Sequence, residues 1–395
     1  MFKQGRSCVI TPWNLLLVSE ILISLGSGII SLVLPLYAKD LGANYTEIGL
    51  LGLVFFIPHA LLLVPIGTFS DRYGRKRILV ISLIFTSIVY VLFSFARSVA
   101  QLMLAGLMDG FAEVPIWMCI QAIVADMPEG KKRGRAMGFY AAAWSAGFTF
   151  GPLVGGYLYG DLNGVNPAPF FVGGGVVLLS ALLIALTNFP KPMLHTTISH
   201  GSFIRDLKNI RGFFPICILG VITAGVGSIV FKLFPAYASS IGLSSFEVGS
   251  IVGLSMLIRT LLFVPMGSLG DKIGFNRMVN YGLLGLAFIF ACMMFARDFL
   301  QFALVLSVMA VAGTMLYPTL LAKASKIGEK QGIGRILSIY NFFTMVGWGI
   351  MPSIGGIIAD LFDPTAPFLF SMLITLAAVI MNKSNLIKEK IRKIK

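Results

Sequence analysis

Twelve apolar stretches, each long enough to cross a bilayer as a helix, occupy most of this 395-residue chain. A hydrocarbon core needs about 20 consecutive apolar residues per helix. Runs of that length fall at about 13–37, 45–67, 78–96, 99–125, 136–158, 169–188, 213–238, 246–267, 278–296, 299–322, 335–358 and 365–381. No water reaches the backbone there, so each stretch must satisfy its own hydrogen bonds as a helix. The expected class is all-α integral membrane. Charged residues are only 12% of the chain, against about 25% in soluble domains.

The first run is too long for a signal-peptide core and has no clear cleavage site, so it is expected to stay as the first span. The four cysteines, at 8, 119, 217 and 292, form no CxxC pair. Neither a disulfide framework nor a metal site is indicated, and no cofactor is expected.

The net charge of +14 could suggest nucleic acid, but its placement argues otherwise. Alternate connections and the two termini carry 26 of the 31 Lys and Arg. The opposite connections hold only Lys39, Arg97 and Arg297, while Lys232 and Arg259 fall inside spans. Basic loops stay cytoplasmic. Both termini are therefore expected inside, in a multi-pass inner or plasma membrane protein, with membrane lipid as a partner and no nucleic acid. The tail from 382 to 395 is expected to be a basic cytoplasmic segment in contact with anionic lipid.

The chain also repeats itself. VPIGTFSDRYGRKR at 64–77 matches VPMGSLGDKIGFNR at 264–277. The same shift of 200 pairs Pro35, Gly42 and Glu47 with Pro235, Gly242 and Glu247, and Gly147, Pro152, Gly155 and Gly156 with Gly347, Pro352, Gly355 and Gly356. Two six-helix units of the same orientation are expected, 1–188 and 213–381, joined by a polar linker at 189–212. A site between them, on an axis along the membrane normal, follows from such repeats.

The stretch from Gly67 through Asp71, Arg72, Gly74 and Arg75 resembles the loop 2–3 signature of the major facilitator superfamily. The copy containing Asp271 is degenerate and has Phe275 in place of Arg75. GFTFGPLVGG, from Gly147 through Gly151, Pro152 and Gly155 to Gly156, is similar to the helix-5 antiporter motif of that family's 12-helix drug/proton branch. The resemblance implies the major facilitator fold, two pseudo-symmetric six-helix bundles, as an expected monomer. It implies a cytoplasmic latch in which Asp71 meets the start of span 11 and Arg75 pairs with Asp126. Independently of the resemblance, Gly147, Gly151 and Gly155 lie on one helical face and permit close helix approach. Pro152 removes a backbone bond and bends the helix.

Span 4 carries two carboxylates, Asp109 and Glu113, which lie ~15 and ~21 Å from its start on one face of a helix. Charge at that depth should face the bundle interior. A carboxylate withdrawn from water beside a second one holds a proton more readily. The pair is thus a candidate site for exchange of protons against a cationic small molecule, with Glu20 and His59 as further titratable groups. A salt bridge between the pair and Arg259 is a structural alternative. The antiporter branch often has an Arg in span 4 that assists proton transfer; Gly106 stands at that position here, which moves the expected coupling onto Asp109 and Glu113. Trp117, Tyr140, Phe231, Tyr317 and Tyr340 are candidates to line an apolar cavity.

These features point to proton-coupled efflux of lipophilic or cationic small molecules by alternating access. Transport of a sugar, metabolite or organic anion is the alternative, favoured by Arg259 and Lys232. An ATP-driven pump would need a GxxxxGK[ST] loop, which is missing. An enzyme would need a polar catalytic cluster, which three histidines do not make.

Overall fold

The computed structural model describes residues 11–126, 133–160, 166–189, 212–328 and 333–394. The linker expected at 189–212 lies almost wholly outside the described residues.

Twelve helices account for nearly all of what is described: α1 (Pro12–Asp40), α2 (Tyr45–Tyr73), α3 (Arg75–Phe95), α4 (Val99–Asp126), α5 (Arg133–Tyr159), α6 (Ala168–Leu186), α7 (Phe213–Ser240), α8 (Ser245–Ile273), α9 (Phe275–Phe295), α10 (Phe299–Gly328), α11 (Ile333–Leu361) and α12 (Ala366–Ile394). Ten of them are long and apolar enough to cross a membrane among the described residues; α2 and α5 are the others. Large apolar side chains face outward along the flanks, such as Phe288 on α9 at 69% exposure. A soluble protein would hide a ring on that scale; a lipid-facing surface has no reason to.

The repeat governs local structure as well as packing. Asn44 and Ser244 each open a helix with a capping box, closed by Glu47 and Glu247. Gly74 and Gly274 carry φ of 95° and 93°, a backbone region that a side chain disfavours. They let α2 and α8 stop and α3 and α9 start without an intervening loop.

Within the first half, α1 packs on α5 and α6, and α3 on α4 and α6; the second half repeats most of this with α7 on α11 and α9 on α10 and α12. The halves meet mainly through two crossed pairs, α2 with α11 and α5 with α8. The segment from 382 onward continues α12 as helix to Ile394; its Lys and Glu residues lower the hydropathy while favouring helix.

Candidate functional site

The seam between the halves is built from glycine and backbone. A Cβ at Gly49 on α2 would overlap the Pro352 carbonyl of α11, and one at Gly249 on α8 would overlap the Pro152 carbonyl of α5. Gly156 and Gly356 stand likewise against the carbonyls of Ser245 and Tyr45. Polar bonds reinforce the contact. Ser353 Oγ donates to the Gly49 carbonyl at 3.2 Å, and Lys39 Nζ to Ser239 Oγ at 3.2 Å. The side chains of Ser145 and Thr260 are hydrogen-bonded across α5 and α8. The Asp360 carboxylate accepts the backbone N–H groups of Tyr45 at 3.0 Å and Thr46 at 2.7 Å, free donors at the start of α2. These contacts run from the Lys/Arg-poor end of the molecule to its middle and close it there.

The antiporter-like motif divides its work between two faces. Gly147, Gly151 and Gly155 receive α1, where Ser24, Leu25, Gly28 and Ile29 approach their backbones. Thr149, Pro152 and Gly156 face α8 instead, against Gly253, Gly249 and Ser245. The close approach expected from the glycine spacing thus lies inside the first half, while the neighbouring face forms the seam.

Toward the basic end, α1, α4 and α5 enclose a cavity whose polar lining includes Glu20, Ser24, Ser27, Glu113 and Tyr140, and whose apolar lining includes Trp117, Trp144 and Phe148. Glu113 Oε1 accepts a hydrogen bond from Trp117 Nε1 at 3.3 Å. Glu20 Oε1 accepts from Ser24 Oγ at 3.2 Å, while its buried Oε2 has no hydrogen-bond partner. The rings of Trp117 and Trp144 meet edge to face at 6.1 Å, and Trp144 meets Phe148 at 4.8 Å.

Asp109 sits one turn from Glu113, buried, with its Oδ1 lacking a hydrogen-bond partner. A cation faces the two. Lys232, half-buried on α7 of the other half, interacts electrostatically with both Glu113 and Asp109. Its ammonium lies 5.7 Å from the centroid of the Phe55 ring and 5.9 Å from that of Phe231. Arg259 was the salt-bridge candidate, but the cation that acts on Asp109 and Glu113 is Lys232. The reason is helix placement: α8 packs on α5 and α10, whereas α7 reaches α1 and α2 at the centre.

His59 is held by packing. Its Nδ1 is 3.3 Å from the Phe55 carbonyl, and its ring stacks on Phe56 at 5.3 Å. Among the proposed cavity aromatics, Trp117 and Tyr140 line the cavity and Phe231 flanks Lys232. Tyr340 is buried in the core of the second half beside Gly220 and Thr344. Tyr317 packs on Phe263 at 5.8 Å and is 42% exposed. Trp144, Phe148 and Lys232 were not singled out as site residues. Trp144 stands four residues before Phe148 on the face of α5 toward α4, a spacing that was visible.

Of the latch residues, Arg72, Gly74 and Arg75 fall at the α2–α3 junction and Gly67 in the last third of α2. An Arg75 guanidinium N–H donates to the Ala122 carbonyl near the end of α4 at 3.2 Å. The side chains of Asp71, Asp126 and Asp271 lie outside the described residues.

The Major Facilitator Superfamily profile matches residues 16–231 and 216–388. Multidrug resistance protein 2 of Bacillus subtilis is 28% identical over 90% of this chain and 91% of its own. Quinolone resistance protein NorA of Staphylococcus aureus is 25% identical over 91% and 92%. Among solved structures, a bacterial homologue of the human lysosomal transporter Spinster, inward-facing and occupied, superposes with a TM-score of 0.80 at 17% identity, over 98% of this chain and 97% of that one. The nucleoside transporter NupG gives 0.77 at 14% identity, over 95% and 99%. Doubled helix bundles, mirrored turns, a seam between halves and a profile spanning both of them lead to one assignment: the chain belongs to the major facilitator superfamily.

Proposed function

We propose that this protein is a secondary transporter that expels lipophilic, often cationic, small molecules in exchange for protons. The observation that carries the reading is the meeting of two glutamates with two tryptophans in one cavity, Glu20 and Glu113 with Trp117 and Trp144, beside Asp109. Carboxylates attract a cation and aromatic faces receive its apolar body. The names of the relatives from Bacillus subtilis and Staphylococcus aureus support the same reading.

A proton and a cationic cargo compete for the α4 carboxylates, and this competition is the coupling. The halves rock about the seam, closing alternately over the centre. One proton moving inward supplies about 2.3 kcal/mol per 100 mV, plus the pH difference. The distribution of Lys and Arg supports cytoplasmic termini, so that the end closed by Asp360 and the seam glycines faces outside. The working unit is a monomer in lipid. The Asp71 and Arg75 latch, with Asp126, would hold the cytoplasmic end when the outer end opens.

The test uses purified protein in liposomes that contain a pH-sensitive dye. Lipophilic cations should evoke proton movement, and Asp109→Asn or Glu113→Gln should abolish it. Proton movement that survives both substitutions refutes the coupling role. A response to organic anions alone would replace this reading with one built on Lys232 and Arg259.

A further inference from the structure

Lys232 has surroundings that suit a cargo cation. Two ring faces, Phe55 and Phe231, stand 5.7 and 5.9 Å from its ammonium. Its carboxylate partners, Glu113 and Asp109, belong to the opposite half. The Lys232 stem passes Gly52 of α2, where a Cβ would meet its Cγ at 3.9 Å, and α2 is pressed onto α4 because a Cβ at Gly110 would overlap the Phe55 carbonyl. The helix packing therefore delivers one fixed positive charge to two negative ones. A buried charge is costly to hold at this depth, and apolar residues would close the space without it.

We propose that Lys232 is a charge selector that biases the cargo of this transporter away from double positive charges. The inference rests on the export reading above. Glu113 and Asp109, with Glu20 in the same cavity as Glu113, attract any cation, and Lys232 opposes it. A dication meets the Lys232 ammonium with twice the repulsion that a monocation meets. If removing Lys232 tightens a monocation by some factor, it should tighten a dication of the same body by about the square of that factor.

Ethidium and propidium share one ring system and carry one and two positive charges. Their binding to purified full-length protein is measured by dye fluorescence at one alkaline pH, the same for every variant. Lys232→Met and Lys232→Gln should each shift the ratio toward propidium by about tenfold, while Lys232→Arg keeps the wild-type preference. A ratio that stays within about twofold of the wild-type value in Lys232→Met or Lys232→Gln, or one that moves as far in Lys232→Arg, overturns the proposal. In those cases ethidium still binds and the export reading stands. If neither dye binds wild type or any variant, the export reading falls and the selector with it.

Discussion

The outer seam has one polar contact whose removal should have a graded and calculable effect. Asp360 at the end of α11 accepts two backbone N–H groups from the start of α2, at 3.0 and 2.7 Å. Parting the halves breaks both. A hydrogen bond to a charged group contributes about 1.5–3 kcal/mol when solvent is excluded, and a carboxylate at a helix N-terminus adds about 0.3–1 kcal/mol. Asp360 is exposed, so water replaces much of this when the seam opens. A net of about 1.5–2 kcal/mol in favour of the closed end is the expectation, which corresponds to about ten- to thirtyfold in the open fraction. Asp360→Ala should therefore raise that fraction by about ten- to thirtyfold, and Asp360→Asn, which keeps one acceptor but loses the charge, by about three- to fivefold. The reporter is Ser353→Cys in a background without Cys8, Cys119, Cys217 and Cys292. Ser353 is 6% exposed and lies in the seam, so a membrane-impermeant maleimide reaches it only when the halves part. Slow labelling then reports the open fraction directly. An unchanged labelling rate in folded Asp360→Ala, or a larger increase in Asp360→Asn than in Asp360→Ala, would refute this account of the contact.

Three further outcomes are expected. Gly156→Leu and Gly356→Leu should each abolish export, because the added side chain strikes a carbonyl of the other half; overpacking costs about 1–3 kcal/mol, so the melting temperature should fall as well, and export at the wild-type rate in either variant would exclude a closing role. Tyr159→Phe removes the hydrogen bond from Tyr159 Oη to the Asp40 carboxylate that ties α5 to α1, and should lower stability by about 1 kcal/mol, read as a drop in melting temperature. In the turn before α12, the Thr365 hydroxyl and backbone N–H hold the Asp363 carboxyl below the usual carboxylate range. A lowered folded-state value means stabilisation present above the ordinary carboxylate pKa and lost as pH falls through the folded one. Hydrogen exchange at Ala366 and Phe368 should accordingly lose protection in acid, beyond the intrinsic pH effect, and Asp363→Asn should remove that dependence.

Most of the architecture was legible in the sequence because lipid removes alternatives. Apolar runs must be helices, and a register of 200 residues dictates that their partners recur, down to Gly74 and Gly274 and the two capping boxes. What was not legible depends on rotation of one helix against another. The spacing of Gly147, Gly151 and Gly155 revealed a smooth face but not that α1 fills it. The carboxylates of α4 stood out in an apolar run. Their cationic partner did not, since Arg259 and Lys232 are equally anomalous in sequence, and only the placement of α7 at the centre prefers Lys232. The helical continuation of α12 past the apolar run was not legible either, because hydropathy measures the membrane and not the helix.

The same register exposes where the two halves differ, and the difference is chemical. Carried forward by 200 residues, Glu20, Asp109 and Glu113 become Gly220, Met309 and Gly313. Carried back, Lys232 and Arg259 become Leu32 and His59. Glycine turns, capping boxes and seam contacts are kept in both copies, because a rocking motion needs two similar bodies that close on each other at either end. The buried charges are not kept. The acids have collected in the first half and the bases in the second, so that every attraction between them crosses the interface. A charge pair within one half would ride unchanged through the motion and do no work on it. A pair split between halves is made and broken with each cycle, and a proton or a cation that alters one partner thereby alters the balance between the two closed forms. On the exchange reading proposed above, the symmetric part of the sequence supplies the two states, and the asymmetric part supplies the means by which a ligand chooses between them.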